Sequence, residues 1–186
     1  MRLDAFEELL LRGYRFLTQK PALVVLNIDE SRLPEASALE AAGRARYPQP
    51  HTDVVALAGK IEAEIGELSE DDARLFMDDL GIAEPSRGRV IRLTYALLGL
   101  LSFLTAGEDE CRAWTLPKDA TAVDAAGAIH SDLARGFIRA QVIGVDGLLD
   151  AGSMAEARKR GTLRQEGKTY VVQDGDVIEV LFNVGR

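Results

Sequence analysis

The stretch PALVVLNIDES, Pro21 to Ser31, decides the architecture of the first half of the chain. It starts as a continuous apolar run and stops on the polar cluster Asn27-Ile28-Asp29-Glu30. A short continuous apolar run is typical of a strand that is buried on both faces, as in a parallel sheet. In open α/β sheets, ligands bind beyond the carboxyl ends of the strands, where this cluster lies. The stretch therefore predicts a parallel α/β sheet with a ligand site at its carboxyl edge.

The neighbouring segments extend this strand into an α/β unit. A loop and a helix are predicted over residues 31–47 and a second strand over 53–57, an order that indicates parallel pairing. Helical spacing predicts one helix over 3–17 that ends before Pro21, and another that is capped by Ser69 and stopped by Gly81. A further helix is predicted from Arg89 to Leu101, and the apolar run 95–104 is interpreted as a buried helix end.

The pattern of predicted elements changes from about Phe103, where strand-like segments become frequent. The pattern predicts a strand over 111–117, a helix over 121–133 and a strand over 137–144. Residues 168–184 are predicted to form two strands joined across Asp174-Gly175, a dipeptide typical of tight turns. These elements predict a compact α+β module, so the two domains are placed at residues 1–104 and 105–186, with the boundary close to Ala106-Gly107.

Composition bounds the class of protein. The chain has 186 residues, of which 47% are hydrophobic, enough for one domain with a good core or two small ones. Its net charge of -8 disfavours general binding to nucleic acid or anionic membrane, so any RNA contact must be local. No apolar run approaches the roughly 20 residues of a membrane span. The single cysteine excludes an internal disulfide, and a reducing cytoplasm is the predicted location.

The sequence gives little support for a metal site or a catalytic nucleophile. His51, His130 and Cys111 lie far apart, which argues against a zinc site or a catalytic triad. His130 is interpreted as structural and Cys111 as a small buried hydrophobe. The stretch from Gly161 to Thr169 comes near the P-loop pattern, but five residues separate its glycines where the P-loop has four. Strand-like residues follow where a helix is needed, so no phosphate cradle is predicted.

Two interpretations of the polar cluster remain open on the residues alone. Asn27 offers a donor and an acceptor and Glu30 offers acceptors, so the pair can read the edge of a purine. Alternatively, Asn27 satisfies backbone groups at the strand end while Asp29 or Ser31 caps the next helix.

Basic residues cluster unevenly in the second half, where they could contact RNA phosphates or form a solvated face. They are Arg135, Arg139, Arg158, Lys159, Arg160, Arg164 and Lys168.

Four segments together resemble the C-terminal half of the YchF / Obg-like ATPase family, P-loop proteins of the translation-factor GTPase class. The segments are FLTQKPALVVLNIDES, IEAEIGELSEDDARLFMDDLGI, RVIRLTYALLGLLSFLTAGEDECRAWTLPKDATAVDAAGAIHSDLARGFIRAQVI and GTLRQEGKTYVVQDGDVIEVLFNV. The resemblance implies an α/β partial GTPase-like domain that lacks its P-loop half, followed by an α+β domain of the β-grasp TGS type. TGS domains also occur in threonyl-tRNA synthetase and stringent-response enzymes.

The resemblance also implies the roles of the polar cluster. Ordinary GTPases recognise guanine with Asn-Lys-x-Asp at this strand end, whereas the family has Asn-x-x-Glu, which goes with acceptance of ATP, often over GTP. By this resemblance Asn27 and Glu30 line the base pocket and Ile28 packs near it. Ala58, Gly59 and Lys60 match the second base loop, although Ala58 lacks the hydroxyl of the usual serine. ATP or GTP with Mg²⁺ is the implied cofactor of the full-length relative.

The resemblance leaves the phosphate chemistry outside this sequence. Family members begin with a P-loop, switch segments and a helical insertion, all of which would precede Met1, and residues 3–17 are similar to the end of that insertion. The chain alone is therefore expected to bind nucleotide weakly and to hydrolyse it negligibly. The implied partners are the ribosome or RNA and the missing P-loop segment. The alternative is a standalone TGS module that binds ribosome or RNA without nucleotide chemistry.

Overall fold

The computed structural model describes residues 4–49, 51–107 and 110–183 and divides into two compact units, Met1–Leu98 and Gly99–Arg186. The first unit contains two strands and five α-helices among its described residues: α1 (Ala5–Leu11), β1 (Ala22–Asn27), α2 (Ala36–Arg46), β2 (Thr52–Leu57), α3 (Gly59–Glu67), α4 (Glu70–Asp79) and α5 (Ser86–Leu98). No described helix is long and apolar enough to cross a membrane.

The predicted parallel pair is confirmed. β1 and β2 run parallel, with Ala22 opposite Thr52 and Asn27 opposite Leu57, and α2 makes the crossover between them. The prediction that β1 is buried on both faces is wrong, because Val25 is 49% exposed. In the described part of the chain β1 has a hydrogen-bonded neighbour on one side, whereas the centre of β2 is packed by α2 and α5.

Several predicted helix boundaries shift. The helix predicted over 3–17 ends at Leu11 and continues as two short 3₁₀ turns, since Arg15 takes a left-handed φ of 50° (Leu3 lies outside the described residues). The cap of α4 is confirmed, because the Ser69 hydroxyl accepts a hydrogen bond from the Asp72 N–H. Gly81, with a φ of 66°, follows the end of α4 as expected.

The helix predicted from Arg89 to Leu101 is wrong at its C-terminal end. α5 ends at Leu98, and Gly99 takes a left-handed φ of 63° that ends the helical backbone. Leu100–Ala106 then form strand β3, in which Leu101 and Phe103 are buried at the two-residue period of a strand. The predicted boundary between residues 104 and 105 falls inside this strand, which belongs to the sheet of the second unit.

The second unit is built on a five-stranded mixed sheet. Its further elements are β4 (Cys111–Pro117), α6 (Ala122–Ile129), α7 (Ser131–Arg135), β5 (Phe137–Gly144), α8 (Val145–Ala151), α9 (Met154–Arg160), β6 (Arg164–Glu166) and β7 (Asp176–Phe182). The strand order is β4-β3-β7-β5-β6, with β3 and β7 parallel and the other neighbours antiparallel. The main core includes Phe103, Val142 and Ile178 from the sheet and Ala122, Ala125 and Ala126 from α6.

Two predictions for the second unit need correction. The predicted hairpin over 168–184 is wrong, because residues 168–172 contribute only the isolated bridge between Thr121 and Val171, and β7 pairs with β3 and β5 (Val184 lies outside the described residues). Asp174-Gly175 does form a turn, with Gly175 at a φ of 79°, but the turn is held by the backbone of Ser102. The helix predicted over 121–133 breaks at His130, which takes extended backbone.

Candidate functional site

The carboxyl ends of β1 and β2 bring Asn27 and Gly59 together. Because the strands are parallel and in register, the last residue of β1 lies beside the turn that opens α3. The Gly59 N–H donates to Asn27 Oδ1 at 3.0 Å, and the Ile28 N–H donates to the Leu57 carbonyl at 2.9 Å. Asn27 Oδ1 is therefore held by backbone, while its Nδ2 remains a donor for a ligand.

A cavity of about 340 Å³ opens at this edge. The structure places four of the five predicted base-pocket residues on its wall, whereas the fifth, Gly59, is not a lining residue and instead donates its N–H to Asn27. Lys60 of the second base loop also lines the cavity, as do Asp29 and Ile61, which sequence reasoning did not assign to the base pocket. The full lining is Asn27, Ile28, Asp29, Glu30, Ala58, Lys60 and Ile61. The signal for Ile61 was its position in the first turn of a helix that starts at the strand end.

The two carboxylates of the cluster have different environments. Asp29 accepts from the Ser31 N–H at 3.1 Å and from the Ser31 hydroxyl at 2.9 Å. These bonds, and to a smaller extent the charge of Lys60, hold the pKa of Asp29 below its usual value. Among the residues described, none donates a hydrogen bond to the Glu30 carboxylate. The capping interpretation therefore holds for Asp29, and Glu30 is the carboxylate left for a ligand.

Side chains close the outer edge of β2. Arg44 donates to the Val54 carbonyl at 3.1 Å and to Asp53 at 2.7 Å, while Glu40 accepts from the Ala56 N–H at 2.9 Å. Burial raises the pKa of Asp53, but hydrogen bonds from Arg44 and the Val54 N–H outweigh it and lower the pKa overall. A strand edge whose groups are satisfied in this way cannot accept another strand.

The outer edge of β1 is different. The N–H groups of Ala22 and Ile28 donate to the carbonyls of His51 and Leu57. Because the backbone groups of successive residues in a strand point to opposite sides, those of Leu23, Val25 and Asn27 point away from β2. Within residues 4–49, 51–107 and 110–183, no side chain or strand bonds to these groups. This edge is open to a further strand.

In the second unit, most of the predicted basic residues face carboxylates. Arg135 pairs with Asp132, Arg158 with Glu179 at 3.2 Å, and both Lys159 and Arg160 with Glu156 at 3.8 Å and 3.2 Å. Arg164 lies 3.5 Å from Asp176, a carboxylate that is only 3% exposed and also accepts from the Tyr170 hydroxyl at 2.7 Å. Arg164 therefore belongs to a structural hydrogen-bond network with Tyr170 and Asp176.

Arg139 and Lys168 are the exceptions. Arg139 donates to the neutral Gln165 side chain at 3.1 Å, and no described carboxylate lies within ion-pair distance of Lys168. Arg158 reaches the same sheet through Gln141, which lies directly opposite Gln165. Arg139 and Arg158 therefore lie beside two neighbouring glutamines, Gln165 and Gln141.

The remaining chemical side chains have structural positions. His130 Nδ1 accepts from the Asp132 N–H and caps α7, as the structural interpretation requires. Cys111 is exposed, so its interpretation as a buried hydrophobe is wrong. It starts β4, which lies at the edge of the sheet that the described residues form. Among the described residues, no group of histidine, cysteine and acidic side chains could hold a metal.

Comparison with known proteins defines the class. The structure of the Schizosaccharomyces pombe YchF GTPase superposes with a TM-score of 0.82 over 97% of this chain and 48% of its own, at 23% identity. The fold is therefore that of the matching part of this α/β protein.

Sequence comparison identifies the family. The family model YchF-GTPase_C, described as a protein of unknown function, matches residues 100–183. The ribosome-binding ATPase YchF of Bacillus subtilis is 43% identical over 180 residues, 96% of this chain and 49% of the relative. The protein of the same name from Pasteurella multocida is 43% identical over 182 residues, 98% of this chain and 50% of the relative. The chain belongs to the YchF family as a C-terminal segment, and it spans about half the length of the curated relatives that it matches.

Proposed function

We propose that this chain provides the purine-base half of a YchF-type ATPase site and a ribosome-contacting module. The observation that carries the first part is the Asn27–Gly59 bond, which occupies Asn27 Oδ1 and leaves Nδ2 as a donor on the wall of a cavity that Glu30 also lines. Adenine presents an acceptor, N7, beside a donor, the N6 amine. A fixed donor and an ionised carboxylate match that edge, whereas guanine places the O6 acceptor where Glu30 would repel it.

The phosphate half of the site is assigned to the additional residues of longer relatives. β2 is closed by Glu40 and Arg44, so a larger sheet grows from the open edge of β1. In this proposal the first unit is the C-terminal part of a P-loop GTPase-like domain, and Mg²⁺ and the triphosphate are held by the P-loop half. Phosphoryl transfer depends on positioning and charge neutralisation of the phosphates, so the chain alone binds nucleotide through its base and does not hydrolyse it.

The test is a titration of the purified chain with AMP, ATP and GTP, followed through the amide resonance of Gly59 and the side-chain amide of Asn27. Because the base carries the binding, AMP and ATP should saturate with similar affinities in the millimolar range and GTP should bind more weakly. Asn27→Ala and Glu30→Gln should remove or weaken the shifts, whereas Glu67→Gln, on the exposed end of α3, should not. The absence of saturable shifts, or equal loss with Glu67→Gln, would refute the base-site proposal.

We further propose that the second unit is a TGS-like β-grasp domain that contacts ribosomal RNA in the cytoplasm. The observation that favours it is that Arg139 contacts the neutral Gln165 and that neither Arg139 nor Lys168 forms an ion pair with a described carboxylate. Phosphate contacts weaken steeply with salt, so ribosome binding through these residues should decline as ionic strength rises.

Co-sedimentation with ribosomes tests this second part. Arg139→Glu combined with Lys168→Glu should abolish pelleting, whereas Lys20→Glu combined with Lys118→Glu makes the same change of net charge elsewhere and should leave it intact. If ribosome binding survives Asn27→Ala, the second unit acts as a binding module that does not need the base site. Equal effects of the two double variants would contradict a local RNA contact.

A further inference from the structure

Glu40 is a buried carboxylate for which the proposed base site has no direct use. It lies on α2 with 4% of its surface exposed. Its Oε1 accepts from the Ala56 N–H and from Arg89 of α5, and its Oε2 lies 3.6 Å from Arg44. An ionised carboxylate at this depth is strongly unfavourable unless it is paired and hydrogen-bonded. Two hydrogen-bond donors, Ala56 and Arg89, and the additional charge of Arg44 meet that requirement.

The hydrogen bond from Ala56 to Glu40 lies close to the turn that holds Asn27. Ala56 lies in β2 two residues before Ala58, the residue that precedes α3, and both are buried. The next N–H, that of Gly59, is the one that holds Asn27. A bond that fixes the backbone at Ala56 therefore fixes the point from which Asn27 is oriented, since a strand transmits displacement along its length.

We propose that Glu40 is a positioning residue for the base site. Held by Arg89, its carboxylate anchors the end of β2 and so keeps the Gly59 N–H on Asn27 Oδ1. The purine identity of the ligand rests on the proposed function, but the anchoring is a property of the chain itself and can be measured without nucleotide.

Amide hydrogen exchange on the full chain provides the test. In Glu40→Ala, the amides of Ala56 and Gly59 should exchange about tenfold faster relative to Ala73 and Ile82, two amides of the same unit with backbone acceptors in and around α4. A role in overall stability alone would raise exchange at all four amides together. Glu40→Gln keeps an oxygen for Ala56 and should restore most of the protection at Gly59. Glu35→Ala, which removes the exposed ion pair with Arg32, is the matched control. It should leave the exchange rates of the Ala56 and Gly59 amides unchanged.

A second variant keeps the test decisive if Glu40→Ala does not fold. Arg89→Gln leaves the carboxylate as the acceptor for Ala56 and removes its main charge partner, so Gly59 should again lose protection relative to Ala73. Unchanged or merely uniform exchange in the folded variants would overturn the positioning role. Loss of AMP binding in Asn27→Ala but not in Glu40→Ala would also count against it, whereas absence of AMP binding in the unmodified chain would refute the base site and leave the exchange result standing.

Discussion

At the scale of single residues, the proposed base site would divide the Asn27 amide between a structural bond and a ligand. Its oxygen accepts from the Gly59 N–H and its nitrogen is left for the cavity. The two interpretations that the sequence left open are therefore compatible, because one side chain has both an acceptor and a donor. The division depends on Gly59, since a Cβ at that position would lie 3.0 Å from Asn27 Oδ1.

Gly59→Ala should separate stability from binding. Alanine favours a helix over glycine by up to about 1 kcal/mol, so the free energy of unfolding should stay level or rise slightly. The new methyl group should displace Asn27 and weaken AMP binding by about tenfold, which corresponds to about 1.4 kcal/mol. Urea unfolding and the amide titration measure the two effects.

Gly66→Ala is the matched control, because it lies in the same helix and a Cβ there meets nothing within 4 Å. It should gain the same helical stabilisation without loss of binding. Equal affinities for the two alanine variants would contradict the steric argument.

At the scale of elements, the start of α6 shows a complete capping box. The Thr121 hydroxyl accepts from the Asp124 N–H, and the Asp124 carboxylate accepts from the Thr121 N–H at 2.7 Å. The side-chain and backbone hydrogen bonds from Thr121 lower the pKa of Asp124. A carboxylate with a lowered pKa in the folded state stabilises the protein above its unfolded pKa, and this contribution is lost as the pH falls through the folded value.

Asp124→Asn should therefore lower the free energy of unfolding of the second unit at pH 7 by about 0.5–1 kcal/mol. The difference from the unmodified chain should begin to shrink as the pH falls below about 4, the usual pKa of an aspartate. It should disappear only below the lowered pKa of the folded state, where Asp124 is protonated in both states. Denaturant unfolding at several pH values measures this. Asp146→Asn removes a carboxylate from the first turn of α8, where no described residue donates a hydrogen bond to it, and should show little change. A pH-independent difference would argue against the capping-box charge.

At the scale of the whole molecule, the first unit has one closed and one open sheet edge. Side chains of α2 occupy the edge of β2, whereas the edge of β1 carries exposed Val25 and unpaired backbone groups within the described structure. An open, apolar strand edge is a template for pairing with another chain.

The isolated chain should consequently self-associate as its concentration rises, and Val25→Lys should suppress this because a lysine on an edge strand opposes pairing. Sedimentation velocity over a concentration series measures the effect. Ile91→Lys places the same charge on an apolar residue that is 52% exposed on α5 and should leave self-association unchanged. A chain that stays monomeric throughout, or equal suppression by both variants, would show that the β1 edge is not responsible.

The sequence alone determined what depends on neighbours along the chain. The parallel pair β1 and β2, the strand β5, the caps at Ser69 and Thr121 and the turn at Gly175 all follow from local pattern and turn chemistry. The family and its Asn27-to-Glu30 motif were likewise readable, because the motif residues are consecutive.

Only the tertiary structure decided what depends on partners distant in sequence. Local apolarity could not separate the end of α5 from β3, because a run of leucines suits either; burial against α6 and pairing with β4 and β7 made it a strand. The same holds for the charges. Glu40 and Arg89 are 49 positions apart, and the basic residues look free in sequence until Asp176, Glu156 and Glu179 are found beside them. Hydrogen bonds and ion pairs act over a few ångströms in space, and only the folded chain sets those distances.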